Sequence, residues 1–239
     1  MSDWSRVFLR GVSLAPDAPT DGFPFELQAV RQLESIAFAP MTVFAGDNGT
    51  GKSTIIEALV LMTGFNAEGG GRNLRFTTQD THSDLHAHLV PKWRRQPQWG
   101  WFLRAETFYG MASRVTLDRG LAAVFPDLHS ESHGESFLDL AFERFQKPGF
   151  YLLDEPESAL SIQGQMTLAR LIWESIARGS QFVVATHSPF LMAFPKASIW
   201  QFTSAGIEPV EFEDIPAIDL WKRFFADPTG YYDRLMSDD

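Results

Sequence analysis

Short apolar runs alternate with longer amphipathic segments along most of the chain, and this pattern predicts an α/β protein. The runs have the length and apolar content of buried strands, and the longer segments repeat apolar residues with the period of a helix. Predicted strands cover residues 7–14, 34–39, 41–45, 99–105, 150–153, 181–186, 199–202 and 207–212. Predicted helices cover residues 53–63, 132–145, 161–177 and 218–236. Because apolar strands alternate with helices, we expect a parallel central sheet.

The composition excludes several classes of protein. Hydrophobic residues make up 44% of the 239 residues and aromatic residues 13%, which excludes disorder of the whole chain. The chain has no cysteine, so disulfide scaffolds, cysteine zinc sites and thiol catalysis are excluded. No apolar run reaches the roughly 18 residues that cross a bilayer, and the first residues lack the pattern of a signal peptide. We therefore expect a single cytoplasmic domain over residues 1–239.

The charge is unevenly distributed. The net charge of −10 argues against a surface that coats nucleic acid generally, yet residues 69–119 contain eight basic and only four acidic residues. Within this window, Lys92, Arg94 and Arg95 are interspersed with tryptophans, as in surfaces that bind single-stranded nucleic acid. A loop packed by its tryptophans, with its cations in solvent, explains the same residues and is the favoured alternative.

The segment GDNGTGKS at residues 46–53 matches the phosphate-binding pattern GxxxxGK[ST] and lies between an apolar strand and an apolar helix. Its glycines allow backbone N–H groups to converge on phosphate oxygens, and the helix N-terminus adds a positive dipole. Lys52 is predicted to reach the β- and γ-phosphates, and the Ser53 hydroxyl to bind Mg²⁺. The alternative is a glycine-rich turn before a helix. The predicted ATP-binding residues of this segment are Gly46, Asp47, Asn48, Gly49, Thr50, Gly51, Lys52, Ser53 and Thr54.

Two later strands end in polar residues that suit the same chemistry. The strand FYLL is followed by Asp154, predicted to hold Mg²⁺, and by Glu155, predicted to polarise an attacking water. The next predicted strand ends close to His187, which suits a sensor of the γ-phosphate or of that water. An acidic turn and a structural histidine are the alternatives. The phosphate-binding segment about 100 residues upstream of Asp154 favours the functional interpretations.

The segment SHGES at residues 132–136 opens a predicted helix. Ser132 and Glu135 have the spacing of a capping box, which satisfies the end of a helix and nothing more. An uncapped helix N-terminus with a hydroxyl and a glycine is also an anion site. Ser132, Gly134 and Glu135 are therefore predicted nucleotide contacts, and both interpretations stay open.

These motifs, in this order, resemble the ATP-binding-cassette (ABC) class of P-loop ATPases, from about Val7 to Phe202. A family of small bacterial ATPases related to the heads of Rad50, RecF and SMC proteins is more similar still. The similar segments are GDNGTGKST, FNAEGG, FLRAETF, SHGESF, LLDEPESALS and ATHSPFLMAFP. The resemblance implies a P-loop NTPase fold of the ABC type, with a parallel central sheet, an N-terminal antiparallel β subdomain and a reduced helical subdomain.

The resemblance also implies a homodimer that sandwiches ATP. Residues 46–54 of one copy bind ATP with Mg²⁺, and Ser132 and Gly134 of the other copy close over its γ-phosphate. A loop at residues 158–161 couples the two sites. ATP then joins the copies, and hydrolysis separates them. The implied catalytic residues are Lys52, Glu155 and His187, and the implied metal ligands are Ser53 and Asp154.

The chain departs from the transporter pattern at several positions. The transporter signature begins Leu-Ser-Gly-Gly-Gln, whereas Glu131, His133 and Glu135 replace its leucine, first glycine and glutamine. Ser161 stands where the family has an aspartate in the coupling loop. The glutamine that the family places after a sheet strand has no clean match. The candidates for its place are Arg104 and Glu106, with Gln79 and Gln98 as weaker ones.

The spacing between Glu106 and Ser132 limits what the helical region can be. Only 25 residues intervene, too few for a coiled-coil arm, so residues 106–132 are predicted to form a shortened arm. This spacing favours a stand-alone ATPase head. The first functional hypothesis is that dimerisation of this head switches a cytoplasmic process, DNA maintenance or defence, with nucleic acid or an effector protein as partner. The alternatives are the energy subunit of an ABC transporter, which needs a membrane partner, and a nucleotide-binding module without hydrolysis.

Overall fold

Two β-sheets form the framework of the part of the chain that the computed structural model describes, residues 7–66, 69–71, 83–106 and 133–237. The strands are β1 (Leu9–Leu14), β2 (Ile36–Ala37), β3 (Met41–Gly46), β4 (Leu89–Trp93), β5 (Gly100–Arg104), β6 (Phe150–Asp154), β7 (Gln181–Ala185), β8 (Ser198–Thr203) and β9 (Gly206–Val210). The larger sheet has the order β5-β6-β7-β3-β8-β9, and only β9 runs antiparallel to its neighbour. The smaller sheet, β2-β1-β4, is antiparallel. The predicted α/β fold, with its parallel central sheet and N-terminal antiparallel sheet, is confirmed.

Helices follow most strands of the larger sheet. They are α1 (Gln28–Arg31), α2 (Lys52–Thr63), α3 (His133–Arg144), α4 (Ile162–Ala177), α5 (Pro189–Met192), α6 (Pro216–Ala226) and α7 (Pro228–Met236). Short 3-10 turns occupy Asp84–His88, Pro156–Ala159 and Phe212–Asp214. Helices α2, α3 and α4 match their predictions to within a residue or so at the ends that the structure describes. Within the described ranges, no helix is both long enough and apolar enough to cross a bilayer.

Some predictions differ from the structure, and others concern residues outside the described ranges. The predicted strand 34–39 is reduced to β2, which pairs with only two residues of β1. Strand β4 was not predicted because it contains Pro91, which this strand tolerates at the edge of its sheet. The single C-terminal helix is two helices, because Pro228 starts a new one that Asp227 caps by accepting a hydrogen bond from the Gly230 amide. Ser132 and the predicted shortened arm from residue 107 onward lie outside the described residues.

Both faces of the larger sheet are covered, which explains why its strands are apolar throughout. Side chains alternate along β3, so Met41 and Val43 join one buried cluster and Phe44 joins the other. The first cluster is completed by apolar residues of α3 and α4, including Phe137 and Leu168. The second is completed by α2 and by the smaller sheet. The larger sheet is therefore a rigid middle layer whose strand ends are fixed relative to one another.

Gln181 joins the two sheets. Its side chain is fully buried at the start of β7 and accepts hydrogen bonds from the Phe8 and Leu9 amides at 2.8 and 3.0 Å. The Nε2 group donates to the Leu9 carbonyl at 2.8 Å and to the Ala39 carbonyl at 3.1 Å. One amide side chain thus satisfies four backbone groups, and this ties the smaller sheet to the middle of the larger one.

Replacing this side chain tests its contribution. Gln181→Leu removes the N–H donors and the carbonyl acceptor of the side-chain amide and leaves buried backbone groups without partners. We therefore expect the free energy of unfolding to fall by about 3 kcal/mol. Urea denaturation measures the loss. Gln163→Leu is the matched control, because Gln163 is exposed on α4 and its replacement should change stability by less than about 0.5 kcal/mol. Equal effects of the two substitutions would contradict the role assigned to Gln181.

Candidate nucleotide-binding site

The carboxyl ends of four parallel strands meet at one edge of the larger sheet and bring the predicted site residues together. The P-loop, residues 46–51, follows β3, and Asp154 ends β6. Arg104 ends β5 in register with Asp154, and Asp154 is in register with Ala185, two residues before His187. This edge is where ligands bind in open parallel sheets.

The P-loop has the backbone conformation that its glycines permit. Gly46, Gly49 and Gly51 all have positive φ. A Cβ at Gly46 would lie 2.2 Å from the Phe202 carbonyl oxygen, so only glycine fits there. At Gly49 a Cβ would meet nothing within 4 Å, so this part of the loop is open to an approaching group. Among the described residues, no side chain caps the first turn of α2, which leaves its N–H groups for solvent or for a bound anion.

Lys52 lies across the mouth of the loop. Its Nζ donates hydrogen bonds to the Gly46 and Asp47 carbonyl oxygens, each at 2.8 Å, although the side chain is almost fully buried. Burial lowers the pKa of Lys52, and the carboxylates of Glu155 and Asp154 act in the opposite direction. The ammonium group is therefore placed between the P-loop and the acidic end of β6, as predicted for a group that contacts phosphates.

Ser53 and Asp154 are in direct contact. The Ser53 hydroxyl donates to Asp154 Oδ1 at 3.0 Å, although the two residues are 101 positions apart. Asp154 is buried, and its second oxygen, Oδ2, accepts a hydrogen bond from Arg104 Nε at 2.8 Å. Hydroxyl and carboxylate oxygens are ligands that Mg²⁺ accepts. The two predicted metal ligands thus lie where one cation reaches both.

Glu155 and His187 face each other beside this pair. His187 Nε2 lies 3.7 Å from Glu155 Oε1. This imidazole nitrogen is buried and has no hydrogen-bond partner in the described part of the chain. Glu155 has a left-handed backbone, with φ 47° and ψ 50°, which is rare for a residue with a side chain. Its amide still donates to the Ala185 carbonyl at 2.9 Å. This hydrogen bond to β7 therefore helps to hold Glu155 in its strained conformation.

Glu157 belongs to the site and was not predicted. Its Oε1 accepts a hydrogen bond from the His187 amide at 2.5 Å, so it holds the backbone that carries the imidazole. Its second oxygen, Oε2, is buried without a partner among the described residues. The sequence contained a signal for this role, since Glu157 stands two residues after Glu155, but spacing alone does not reveal a contact to the next strand.

The geometry fits a nucleotide with a divalent cation. Beside Asp154 lies a cavity of about 340 Å³, lined by Ser53, Arg104, Ala105, Glu106, Asp154, Glu155 and Ser158. The buried His187 Nε2 and the opening at Gly49 are the kinds of feature that a bound phosphate would satisfy. Thr50 closes the turn by donating to the Asp47 carbonyl at 2.8 Å, while Asp47, Asn48 and Gly49 are exposed.

The predicted signature helix packs on the loop that follows Glu157. Helix α3 begins at His133, and a Cβ at Gly134 would lie 3.0 Å from the Ala159 carbonyl oxygen. Glu135 is exposed in the first turn of α3. Ser161 caps α4 by accepting a hydrogen bond from the Gly164 amide at 3.1 Å, a role that aspartate also performs. The capping box cannot be assigned, since Ser132 is not among the described residues.

The basic and aromatic residues near β4 favour the packing interpretation. Lys92, Arg94 and Arg95 are exposed, and the Arg95 guanidinium lies 4.1 Å from the centre of the Phe8 ring. Trp101 is buried, and Trp93 packs edge-on against Phe150. These rings already have partners within the protein, so they do not form a bare stacking surface for bases.

Two family models match the chain over the segments that build the site. Residues 25–91, which include the P-loop, match a model described as "AAA domain". Residues 128–193, which include Asp154, Glu155 and His187, match a model described as "AAA domain, putative AbiEii toxin, Type IV TA system". Each model covers less than a third of the chain, and together the two matches support a P-loop ATPase of the ABC type. The two matches together include the P-loop, Asp154, Glu155 and His187, which form the candidate site.

Curated relatives match over 91 and 95 residues of the chain. The cytochrome c biogenesis ATP-binding export protein CcmA of Rhodopseudomonas palustris strain HaA2 is 35% identical over 38% of the chain. The protein of the same name from strain BisB18 is 34% identical over 40% of the chain. The chain spans about half the length of these relatives, 46% and 48% respectively.

Solved structures are similar over more of the chain at lower identity. The SMC head domain from Thermotoga maritima is 18% identical, with a TM-score of 0.49 over 86% of this chain and 100% of that one. An SMC head bound to the C-winged helix domain of ScpA is 16% identical, with a TM-score of 0.47 over 85% of this chain and 98% of that one.

The backbone of Glu155 yields a stability prediction. Glu155→Gly and Glu155→Ala both remove the carboxylate, but only glycine adopts positive φ without steric cost, so we expect the glycine variant to be more stable by about 1 kcal/mol. Thermal or urea denaturation measures the difference. The same pair of substitutions at Glu174, inside α4, should give the opposite order by a similar amount. If Glu155→Gly were less stable than Glu155→Ala, the backbone at position 155 would not be strained.

Proposed function

We propose that this ATPase binds ATP with Mg²⁺ and hydrolyses it, and that ATP closes two copies into a head-to-tail dimer that acts as a switch. The observation that carries the proposal is the contact between Ser53 of the P-loop and Asp154, with Glu155 adjacent in the chain. A glycine-rich turn or an acidic turn alone does not require these segments to meet. Their convergence at the carboxyl edge of the sheet supports a nucleotide site.

Binding uses the P-loop and its helix. Backbone N–H groups of residues 46–54 donate to the phosphate oxygens, and the N-terminus of α2 adds its positive dipole. Lys52 exchanges its two carbonyl acceptors for oxygens of the β- and γ-phosphates. Ser53 and Asp154 would hold Mg²⁺, which when bound neutralises charge on the phosphate oxygens.

Hydrolysis uses the carboxylate at the end of β6. Glu155 accepts a proton from a water molecule, whose oxygen bonds to the γ-phosphorus while the bond from that phosphorus to the bridging oxygen breaks. ADP leaves with the electron pair of that bond. His187 Nε2, 3.7 Å from Glu155 Oε1, would form a hydrogen bond with the transferred group.

Dimer closure brings a second copy over the nucleotide. Ser132, Gly134 and Glu135 at the start of α3 would contact the γ-phosphate bound by the partner copy. Within one copy, the start of α3 packs on the loop that follows Glu157, and Glu157 holds the His187 backbone. This contiguous set of contacts supports coupling between the signature helix of one site and the γ-phosphate end of the other.

The glutamine variant of Glu155 tests hydrolysis and dimerisation together. Glu155→Gln keeps the shape of the side chain but removes the base, so we expect phosphate release to fall at least about 100-fold while the dimer persists in saturating ATP and Mg²⁺. Phosphate release and light scattering after size-exclusion chromatography measure the two effects.

Two further variants serve as controls. Lys52→Ala should bind no nucleotide and stay monomeric, whereas Glu174→Gln on the exposed face of α4 should behave as the wild type. A Glu155→Gln protein that is monomeric in saturating ATP and Mg²⁺ would refute the dimer, and one that hydrolyses ATP at the wild-type rate would refute the role of Glu155.

The proposed process is a cytoplasmic one, DNA maintenance or defence, with nucleic acid or an effector protein as partner. The matched curated relatives are ATP-binding export proteins, which supports the transporter energy subunit as a second candidate. Gentle lysis separates the two. Recovery in the soluble fraction with ATP hydrolysis stimulated by DNA supports the switch, whereas co-purification with a membrane protein supports the transporter subunit.

A further inference from the structure

The geometry points to Arg104 as a positioning residue that sets the Mg²⁺ affinity of the nucleotide site by orienting Asp154. This inference rests on the proposed function and deepens it. Arg104 is the last residue of β5 and lies in register with Asp154 on β6. The parallel pairing of these two strands therefore brings the guanidinium group to the carboxylate, and no loop has to carry it there.

Arg104 contacts one specific oxygen of Asp154. Its Nε donates to Oδ2 at 2.8 Å, while Oδ1 accepts from the Ser53 hydroxyl at 3.0 Å. The two carboxylate oxygens are thus assigned to different partners, and rotation about the Cβ–Cγ bond of Asp154 would break both hydrogen bonds. With Oδ2 held by Arg104, Oδ1 stays directed at Ser53, which is the arrangement that a shared cation needs.

The guanidinium group cannot be a metal ligand itself. It has five N–H donors and no acceptor. Its role toward a cation is therefore exerted through Asp154. Its side chain is about four-fifths buried and also lines the cavity beside Ser53, so it acts within the site rather than on the outer surface.

Charge and orientation act in opposite directions here. A fixed cation next to Asp154 repels Mg²⁺, whereas the hydrogen bond orients the ligand for it. Arg104 lies 3.9 Å from Glu57 on α2, and the cavity is also lined by Glu106, Asp154 and Glu155. Four carboxylates around one guanidinium leave the surroundings net negative, so the site still attracts a cation with Arg104 in place, and the direction of the net effect is what the test below measures.

The test measures how nucleotide binding depends on Mg²⁺, independently of hydrolysis. A fluorescent ATP analogue is bound in EDTA and then titrated with MgCl₂. We expect Arg104→Met to raise the Mg²⁺ concentration for half-maximal binding at least 10-fold, with affinity in EDTA changed by less than about 3-fold. Arg104→Gln, which retains an N–H donor without the charge, should lie between Arg104→Met and the wild type.

The control is an arginine with similar local geometry at a different place. Arg170 Nε donates to Glu174 at 2.9 Å on the exposed face of α4, and Arg170→Met should leave the Mg²⁺ dependence unchanged. Circular dichroism shows whether each variant is folded, and Arg104→Gln decides the question if Arg104→Met does not fold.

Three outcomes separate the hypotheses. An unchanged Mg²⁺ requirement in folded Arg104 variants overturns the positioning role. A lower requirement in the neutral variants shows that repulsion dominates and also overturns it. A wild-type protein that binds no nucleotide, or binds it equally well in EDTA and Mg²⁺, refutes the proposed metal-dependent site itself.

Discussion

The hydrogen bond between Ser53 and Asp154 is the contact on which the site depends. It joins the first turn of α2, which follows β3, to the end of β6. In the sheet, β7 lies between β3 and β6. The contact forms only if β6, β7 and β3 end at the same level, which their parallel register ensures. That register is fixed in turn by cores on both faces of the sheet. The geometry of the candidate site is here a consequence of how the middle layer is packed.

Buried polar groups help to keep the strands of the larger sheet in register at both of their ends. At the amino end of β7, Gln181 ties the smaller sheet to the larger one through four backbone hydrogen bonds. At the carboxyl end, Arg104 and Ser53 each donate to one oxygen of the buried Asp154 carboxylate. Buried polar groups with complete partners specify one arrangement more strictly than apolar contacts do. The chain therefore places its most constrained polar residues where strand ends must not slip.

Sequence patterns predicted the elements of the site better than its contacts. The P-loop, the strand before Asp154 and the helix α4 follow from local glycines, apolar runs and helical periodicity. The pairing of Arg104 with Asp154 was not predictable, because it depends on which strands become neighbours. Strand β4 was missed because its proline argues against a strand unless the edge position is known. The break at Pro228 was missed because the apolar pattern continues across it.

The two hydrogen bonds from Lys52 to the P-loop carbonyls have a consequence for the energetics of phosphate capture. In the proposed binding mode, the Lys52 ammonium group would exchange these carbonyl acceptors for phosphate oxygens. The free energy gained would be only the difference between the two kinds of hydrogen bond. The loop is already shaped by these bonds, so less conformational entropy is lost on binding. In the proposed binding mode, affinity would then be governed by the charge of the ligand, and a triphosphate would be distinguished from smaller anions by how many N–H donors of Lys52 and of the P-loop backbone it engages at once.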